Sequence, residues 1–190
     1  MLNRLDLFGI GVEVGVFRGE FAKIILERWR GDLLALVDPW QNLPNYKDSW
    51  NLPDGDMEAN YRITIEAMRP FTHRVKLLRM NSLEAAKRFS DESCDFVYID
   101  ANHSYDSVRL DLAAWYPKVR KGGLFGGHDY FNAIADENLE PIRNDSSSEL
   151  SPAVLSSYGV KAAVDEFASR QQVQIAITDE DEPTWYFRKR

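Results

Sequence analysis

The chain has 190 residues, 44% of them hydrophobic and 28% charged, enough for one ordinary domain with a substantial core and too few for a second full one. No stretch approaches the roughly 20 unbroken apolar residues of a membrane helix, and the opening MLNRLDLF lacks the apolar run and cleavage site of a secretory leader, so a cytoplasmic protein with no membrane partner is expected. The net charge of −7 argues against nucleic acid as a partner, and a lone cysteine, Cys94, excludes an internal disulfide or a cysteine-held zinc.

In chain order, apolar runs of strand length alternate with helix-patterned segments, the pattern of an α/β fold with a mostly parallel sheet between helices. The first strand is expected over 9–14 and a helix from Glu20, with Phe21, Ile24, Ile25 and Arg28/Trp29 on its buried stripe. A second strand over 33–37 leads into an insertion, 39–55, that carries Trp40, Tyr46 and Trp50 among Asn, Asp and Pro. A helix over 56–68, a strand over 75–78, a short helix over 82–89 capped by Ser82 and a strand over 96–99 follow. Cys94, on the approach to that strand, reads as structural. Tyr105, Val108, Leu112 and Trp115 then recur at helical spacing until Pro117, and Gly122-Gly123 turn the chain into a strand at Leu124-Phe125. A polar insertion over 131–158 precedes a helix over 160–170 and strands over 173–177 and 185–188. Long connections of this kind serve as lids or substrate loops, or are disordered. The basic clusters Arg28/Arg30, Lys118/Arg120/Lys121 and Arg188/Lys189/Arg190 fall at element ends, where solvated charge is common.

Chemistry in an open α/β sheet gathers at the carboxyl ends of the strands. After the first strand stands Glu13-x-Gly15-x-x-x-Gly19, where glycines let the backbone approach a ligand and the next helix offers free N–H groups; the same glycines also suit close strand packing. The spacing does not match a dinucleotide fingerprint, and Glu13 would repel a diphosphate. After the second strand, Asp38 has the placement of a carboxylate that accepts from ribose hydroxyls, or of a turn-forming Asp before Pro39. Asn81 and Ser82 follow the third strand as polar groups at the edge of a base or as a helix cap. Asp100 with His103 follows the fourth strand and His128 with Asp129 the fifth, which places two of the three histidines beside carboxylates at adjacent strand ends. His73 lies at the opposite edge and reads as surface.

Taken in order, the segments 11–22 (GVEVGVFRGEFA), 37–40 (VDPW), 96–105 (FVYIDANHSY), 115–130 (WYPKVRKGGLFGGHDY) and 159–167 (GVKAAVDEF) resemble the class I S-adenosylmethionine-dependent methyltransferases, and more closely the subgroup labelled methyltransferase domain 24. The likeness spans about residues 9–187. It implies a Rossmann-like three-layer sandwich whose seven-stranded, mostly parallel sheet has an antiparallel last strand. It also implies that Glu13, Gly15 and Gly19 hold the methionine end of S-adenosylmethionine, Asp38 the ribose and Asn81-Ser82 the adenine, with Asp100 facing the reactive centre. Catechol-type relatives bind magnesium through an Asp after strand four and an Asp-Asn pair after strand five. Here Asp100 and His128-Asp129 match that set in part, so Mg2+ or another divalent cation would be held by Asp100 and Asp129.

The implied reaction is O-methylation of a small-molecule acceptor, a sugar or phenolic hydroxyl, with Asp100, His103 and His128 as the catalytic group and a histidine as the base. An NAD-dependent oxidoreductase and a non-catalytic S-adenosylmethionine-binding module are the alternatives on the same fold. Relatives often cover the acceptor with an N-terminal cap, and the short lead into strand one makes a homo-oligomer, in which a neighbouring subunit completes the site, a further expectation.

Overall fold

A computed structural model describes residues 1–135, 138, 141–143 and 157–190. Fifteen elements bear on the site. They are β1 (Ile10–Val14), α1 (Glu20–Arg28), β2 (Leu33–Asp38), α2 (Asp54–Met68), β3 (Val75–Arg79), α3 (Ser82–Ala86), β4 (Cys94–Ile99), α4 (Tyr105–Trp115), β5 (Val119–Gly127), β6 (Asn132–Ala135), β7 (Pro141–Arg143), β8 (Tyr158–Gly159), α5 (Val160–Gln171), β9 (Ala176–Ile177) and β10 (Trp185–Arg188). Seven strands form one sheet in the order β3-β2-β1-β4-β5-β10-β9. Strands β1 to β5 are parallel, and β10, the last in sequence, runs antiparallel between β5 and β9. This is the Rossmann-like sandwich with the antiparallel last strand that the resemblance implies.

The two-residue period of a strand divides the core between the faces of the sheet. On β2, Leu34 and Leu36 join Ala22, Ile25 and Trp29 of the α1 side. Ala35 and Val37 join Val12, Ala85, Leu112 and Val164, under α3, α4 and α5. Both faces are thereby closed, and the strand ends are left as the open edge. Three backbone bonds carry the chain past those ends in register: Gly15 N–H to Val37 O (2.8 Å), Asp100 N–H to Val14 O (2.7 Å) and His128 N–H to Ile99 O (3.0 Å).

Several local expectations change. The buried stripe of α1 is Ala22, Ile25, Leu26 and Trp29, while Phe21, Ile24 and Arg28 are exposed, because the helix is rolled toward Trp29, whose indole is buried against Phe96. Strand β5 begins at Val119, and Gly122 (φ 75°) lies inside it at an irregularity in the pairing with β4 rather than at a turn before it. The cap of α3 is Asn81, whose side chain accepts from Glu84 N–H at 2.9 Å; Ser82 is the first helical residue. Part of the polar 131–158 segment forms a second, three-stranded sheet, β7-β6-β8, while residues 136, 137, 139, 140 and 144–156 of that segment lie outside the described residues. Strand β9 keeps only two residues of the five expected over 173–177. The basic residues near β5 and β10 are tied down: Lys118 pairs with Asp91 at 2.6 Å, Arg120 with Asp95, and Lys189 donates to Val119 O at 2.7 Å. Cys94 is buried, and burial pushes its thiol up to about 11; His73 is exposed. Among the described residues no helix is long and apolar enough to cross a membrane.

Candidate functional site

A cavity of about 890 Å³ opens at the carboxyl edge of the sheet, within the range of small-molecule sites. Glu13, Gly15, Asp38, Asn81, Ser82, Asp100, His103, His128 and Asp129 all line it, whereas Gly19 does not. Gly19 instead caps α1 with a φ of 76°, a conformation that suits glycine.

Gly15 has a φ of 87°, and a Cβ there would lie 1.7 Å from the carbonyl oxygen of Asp100. Only glycine lets the loop after β1 pass this close to the end of β4, so the packing and ligand-approach readings converge on one position. Asp38 is buried at the end of β2 and holds that loop. Its Oδ2 accepts from Val16 and Phe17 N–H (2.9 and 3.0 Å), and its Oδ1 from Trp40 N–H (2.6 Å). Burial raises its pKa against the pull of these bonds. With about four acceptor positions on a carboxylate, three are taken by the protein. Phe17, in the same loop, has a φ of 52° and is fixed through its carbonyl by Trp40 Nε1 (2.7 Å) and Thr64 Oγ1 (3.0 Å). A bulky residue in this region of backbone space is strained and is held only where its surroundings determine it.

Glu13, the next-to-last residue of β1, is 2% exposed. Its Oε2 is buried without a hydrogen-bond partner among the described residues. Burial, with Asp100 and Asp38 nearby, raises its pKa well above the ordinary carboxylate value. An orphaned buried carboxyl oxygen on a cavity wall is a group that a cationic or N–H-bearing ligand would satisfy.

The second half of the site is built around His103, which follows β4. Tyr46 and Asp48 reach it from the 39–55 insertion. Tyr46 donates its hydroxyl hydrogen to Asp48 Oδ2 at 2.9 Å and accepts from His103 N–H at 3.1 Å. Tyr158 also donates to Asp48 Oδ2, and Trp50 N–H donates to Oδ1 at 2.8 Å. The one hydroxyl hydrogen of Tyr46 is thus committed, so His103 Nδ1 carries the proton toward Tyr46 (3.0 Å) and Asp48 Oδ2 (3.3 Å). The ring stacks on Tyr158 at 4.9 Å, and Tyr158 on Phe131 at 5.7 Å. The other nitrogen, Nε2, points toward Asp129 Oδ2 (3.0 Å) and Asp100 Oδ1 (3.5 Å), near enough for charge but without hydrogen-bond geometry. Burial disfavours the imidazolium, yet Tyr46 and the carboxylates Asp100, Asp129 and Asp48 outweigh it and raise the pKa well above the usual histidine range.

His128, after β5, lies 3.3 Å from Asp129 Oδ1 and 3.9 Å from Asp100 Oδ2 and is 26% exposed. Burial lowers its pKa, but Asp129, Asp100 and Glu182 push it up to about 9. Asp129 is held below the ordinary carboxylate range by the two histidines, which outweigh its burial. Its φ of 55° turns the side chain back toward His103. Oxygens of Asp100 and Asp129 and a ring nitrogen of His103 all lie within 4.8 Å of one another, a spacing that a single divalent cation can bridge.

Sequence reasoning brought out the residues at the strand ends and named Tyr46 among the aromatics of the 39–55 insertion, but missed Asp48 and Tyr158, which come from the two insertions. It also missed Asp111. That residue sits on the buried stripe of α4 with Val108, Leu112 and Trp115, and a carboxylate at a position reserved by period for an apolar side chain is the signal that marks it.

Residues 12–130 match the sequence model of a family described as Methyltransferase domain. A search of curated protein sequences found no significant match. Among solved structures, an O-methyltransferase from Bacillus cereus in complex with S-adenosylhomocysteine is similar over 99% of this chain and 77% of that one, with a TM-score of 0.65 and 14% identity. The 1,6-didemethyltoxoflavin-N1-methyltransferase of Burkholderia thailandensis, solved with 1,6-didemethyltoxoflavin and S-adenosylhomocysteine bound, is similar over 99% and 74%, with a TM-score of 0.57 and 12% identity. A precorrin 8w decarboxylase from Methanobacterium thermoautotrophicum is similar over 100% and 87%, with a TM-score of 0.59 and 11% identity. At these identities the likeness is one of fold.

Proposed function

The chain belongs to the Methyltransferase domain family, as a class I S-adenosylmethionine-dependent methyltransferase, and from that premise we propose that it methylates a hydroxyl oxygen of a small molecule with a divalent cation held by Asp100, His103 and Asp129. The family sets aside the NAD-dependent reading. The acceptor atom, the metal and the role of each residue are the proposal.

S-adenosylmethionine supplies an electrophilic methyl group on a sulfonium, so the protein has to align the acceptor, exclude water and handle one proton. The unpartnered Oε2 of Glu13 accepts from the ammonium of the methionine end. Gly15 admits that end between the β1 loop and β4. Asp38 fixes the loop and has one acceptor position left for a ribose hydroxyl. On the other side, Tyr46, Trp50, Phe131 and Tyr158 wall the cavity and keep water from the reacting atoms. His128, more open than His103, is the side chain that takes the acceptor's proton once it has shed its own, which a sulfonium charge nearby promotes.

The buried Nε2 of His103 lies 3.0 Å from Asp129 and 3.5 Å from Asp100, and once it has lost its proton this nitrogen and the two carboxylates fit a cation. A bound divalent ion supplies Lewis acidity that lowers the pKa of the acceptor hydroxyl. The mixed nitrogen and oxygen donors favour a manganese-like ion over magnesium, which prefers oxygen alone.

One observation carries the reading. Asp100 belongs to both halves of the cavity, with its backbone against Gly15 and its carboxylate facing His103 and His128. The test is transfer of a labelled methyl group to a panel of phenols and sugars by metal-stripped protein, with manganese or magnesium added back. Methyl incorporation at oxygen that disappears with chelator and returns with metal is expected. Incorporation at nitrogen overturns the acceptor assignment, turnover indifferent to chelator overturns the metal, and tight S-adenosylhomocysteine binding without transfer to any acceptor favours a binding module.

A further inference from the structure

The closure of both faces that holds at β2 does not reach across the sheet. Register places Tyr98, Gly126 and Tyr186 in one row across β4, β5 and β10, with Phe96, Leu124 and Arg188 in the next. Their neighbours along the strands, Phe125, Trp185 and Phe187, point to the other face and are buried with Val164 and Phe167 of α5. On the α1 side, Tyr98, Leu124 and Tyr186 are only half-buried, and Arg188 is exposed. Parallel strands such as β4 and β5 are as a rule covered on both faces, so a half-open row across them calls for a cover.

Helix α1 continues this surface. Phe21 packs on Tyr98 at 4.7 Å, so the flank of α1 that carries Phe21, Ile24 and Arg28 at helical spacing faces β4. Phe21 and Ile24 are 40% and 45% exposed, and with Tyr98, Leu124 and Tyr186 they make an open apolar strip of the kind that marks an interaction site. The ends of the strip carry opposite charge. At the carboxyl edge, the turn between β9 and β10 holds the run Asp179-Glu180-Asp181-Glu182, all exposed. At the amino edge stand Arg28, Lys121 and Arg190, also exposed. Asp179 and Asp181 at one end, and these three basic side chains at the other, have no ion-pair partner among the described residues.

We propose that this face binds a second copy of the chain as a two-fold dimer, with the strands of one protomer reversed against those of its partner. A surface with an apolar middle, an acidic end and a basic end is complementary to itself when turned end for end. A two-fold axis across the strands does this: it lays the acidic turn of each protomer on the basic end of the other, twice over, and apolar strip on apolar strip. An axis along the strands sets acid on acid and base on base, which repulsion excludes. The net charge of −7 opposes association in an arbitrary register and leaves this one favoured. Phe21 and Glu182 also line the cavity, so the basic end of the partner copy comes to the mouth of the reaction site. The dimer itself does not depend on the methyltransferase reading.

The experiment is sedimentation equilibrium on the whole chain, from about 1 to 100 μM at low and high salt, with circular dichroism to confirm that each variant is folded. The wild type is expected to be a dimer whose dissociation constant rises with salt. The acidic-end variant Asp179→Lys/Asp181→Lys and the basic-end variant Lys121→Glu/Arg190→Glu are each expected to dissociate at least about tenfold more readily. The chain carrying all four substitutions restores opposite charge at both contacts and is expected to dimerise within about threefold of the wild type. Ile24→Asp, a change at an exposed position, is expected to be monomeric. A wild type that stays monomeric at about 100 μM overturns the proposal, as does a species larger than a dimer. A dimer indifferent to Ile24→Asp and to both charge reversals lies on another face and overturns it too, and a folded four-substitution chain that stays monomeric overturns the end-for-end register.

Discussion

Asp111 shows what burial does to a single carboxylate. Its pKa is raised by burial from the ordinary 3.8 to about 6, so between those values the folded chain holds a proton that the unfolded chain has released. The corresponding stability is present below about pH 4 and is lost as pH rises through about 6, where the ionised group costs on the order of 3 kcal/mol. Asp111→Asn is therefore expected to melt higher than the wild type at pH 7 to 8, with the advantage shrinking to nothing toward pH 4; a variant no more stable than wild type at pH 8 would count against this account. Glu13 follows the same logic, since its orphaned oxygen is tolerable only where a ligand completes it. Both residues were open to sequence reasoning in different degrees. Glu13 stands at a strand end beside two glycines and is found by position. Asp111 is found only by asking why the apolar stripe of α4 contains a carboxylate.

Among the elements, the 39–55 insertion carries the most information that periodicity could not supply. It has no regular structure before α2, so its residues read as polar loop with scattered aromatics. In space, Asp48 is almost fully buried, and four groups converge on it: Tyr46, Trp50, His103 and Tyr158. This one carboxylate joins the insertion, the β4 loop and β8. Asp48 is a positioning residue for His103, because it fixes the proton on Nδ1 and aims Nε2 at Asp100 and Asp129. Asp48→Asn is expected to loosen the insertion, seen as faster amide exchange over 39–55, and to lower kcat about tenfold or more while S-adenosylhomocysteine affinity changes little. Unchanged exchange with unchanged kcat would remove Asp48 from the account. The strands were easier to read, since β1, β2 and β4 are mostly apolar runs buried on both faces, broken only by Glu13, Asp95 and the terminal Asp38. The stripe of α1 was misread because a large residue, Trp29, sets the roll of the helix and leaves Phe21 at the cavity, packed against Tyr98 at 4.7 Å.

At the scale of the whole molecule, the alternation of strand and helix was enough to reach the architecture, and the order of the strand-end motifs enough to reach the family. The sheet order then does what linear sequence cannot. It lays residues separated by more than a hundred positions, Glu13 and Asp129, along one edge and puts Asp100 between a ligand-approach loop and a His-Asp cluster. The additional small sheet β7-β6-β8 was hidden because its strands are two to four residues long, too short for a period to register. The central claim is that the two halves of the cavity are one reaction site joined at Asp100. It is tested most directly by measuring S-adenosylhomocysteine binding and methyl turnover on Asp100→Asn beside the wild type, with an acceptor the wild type accepts. Binding within a few fold of wild type and turnover lower by about 100-fold or more are predicted; turnover equal to wild type would contradict the account.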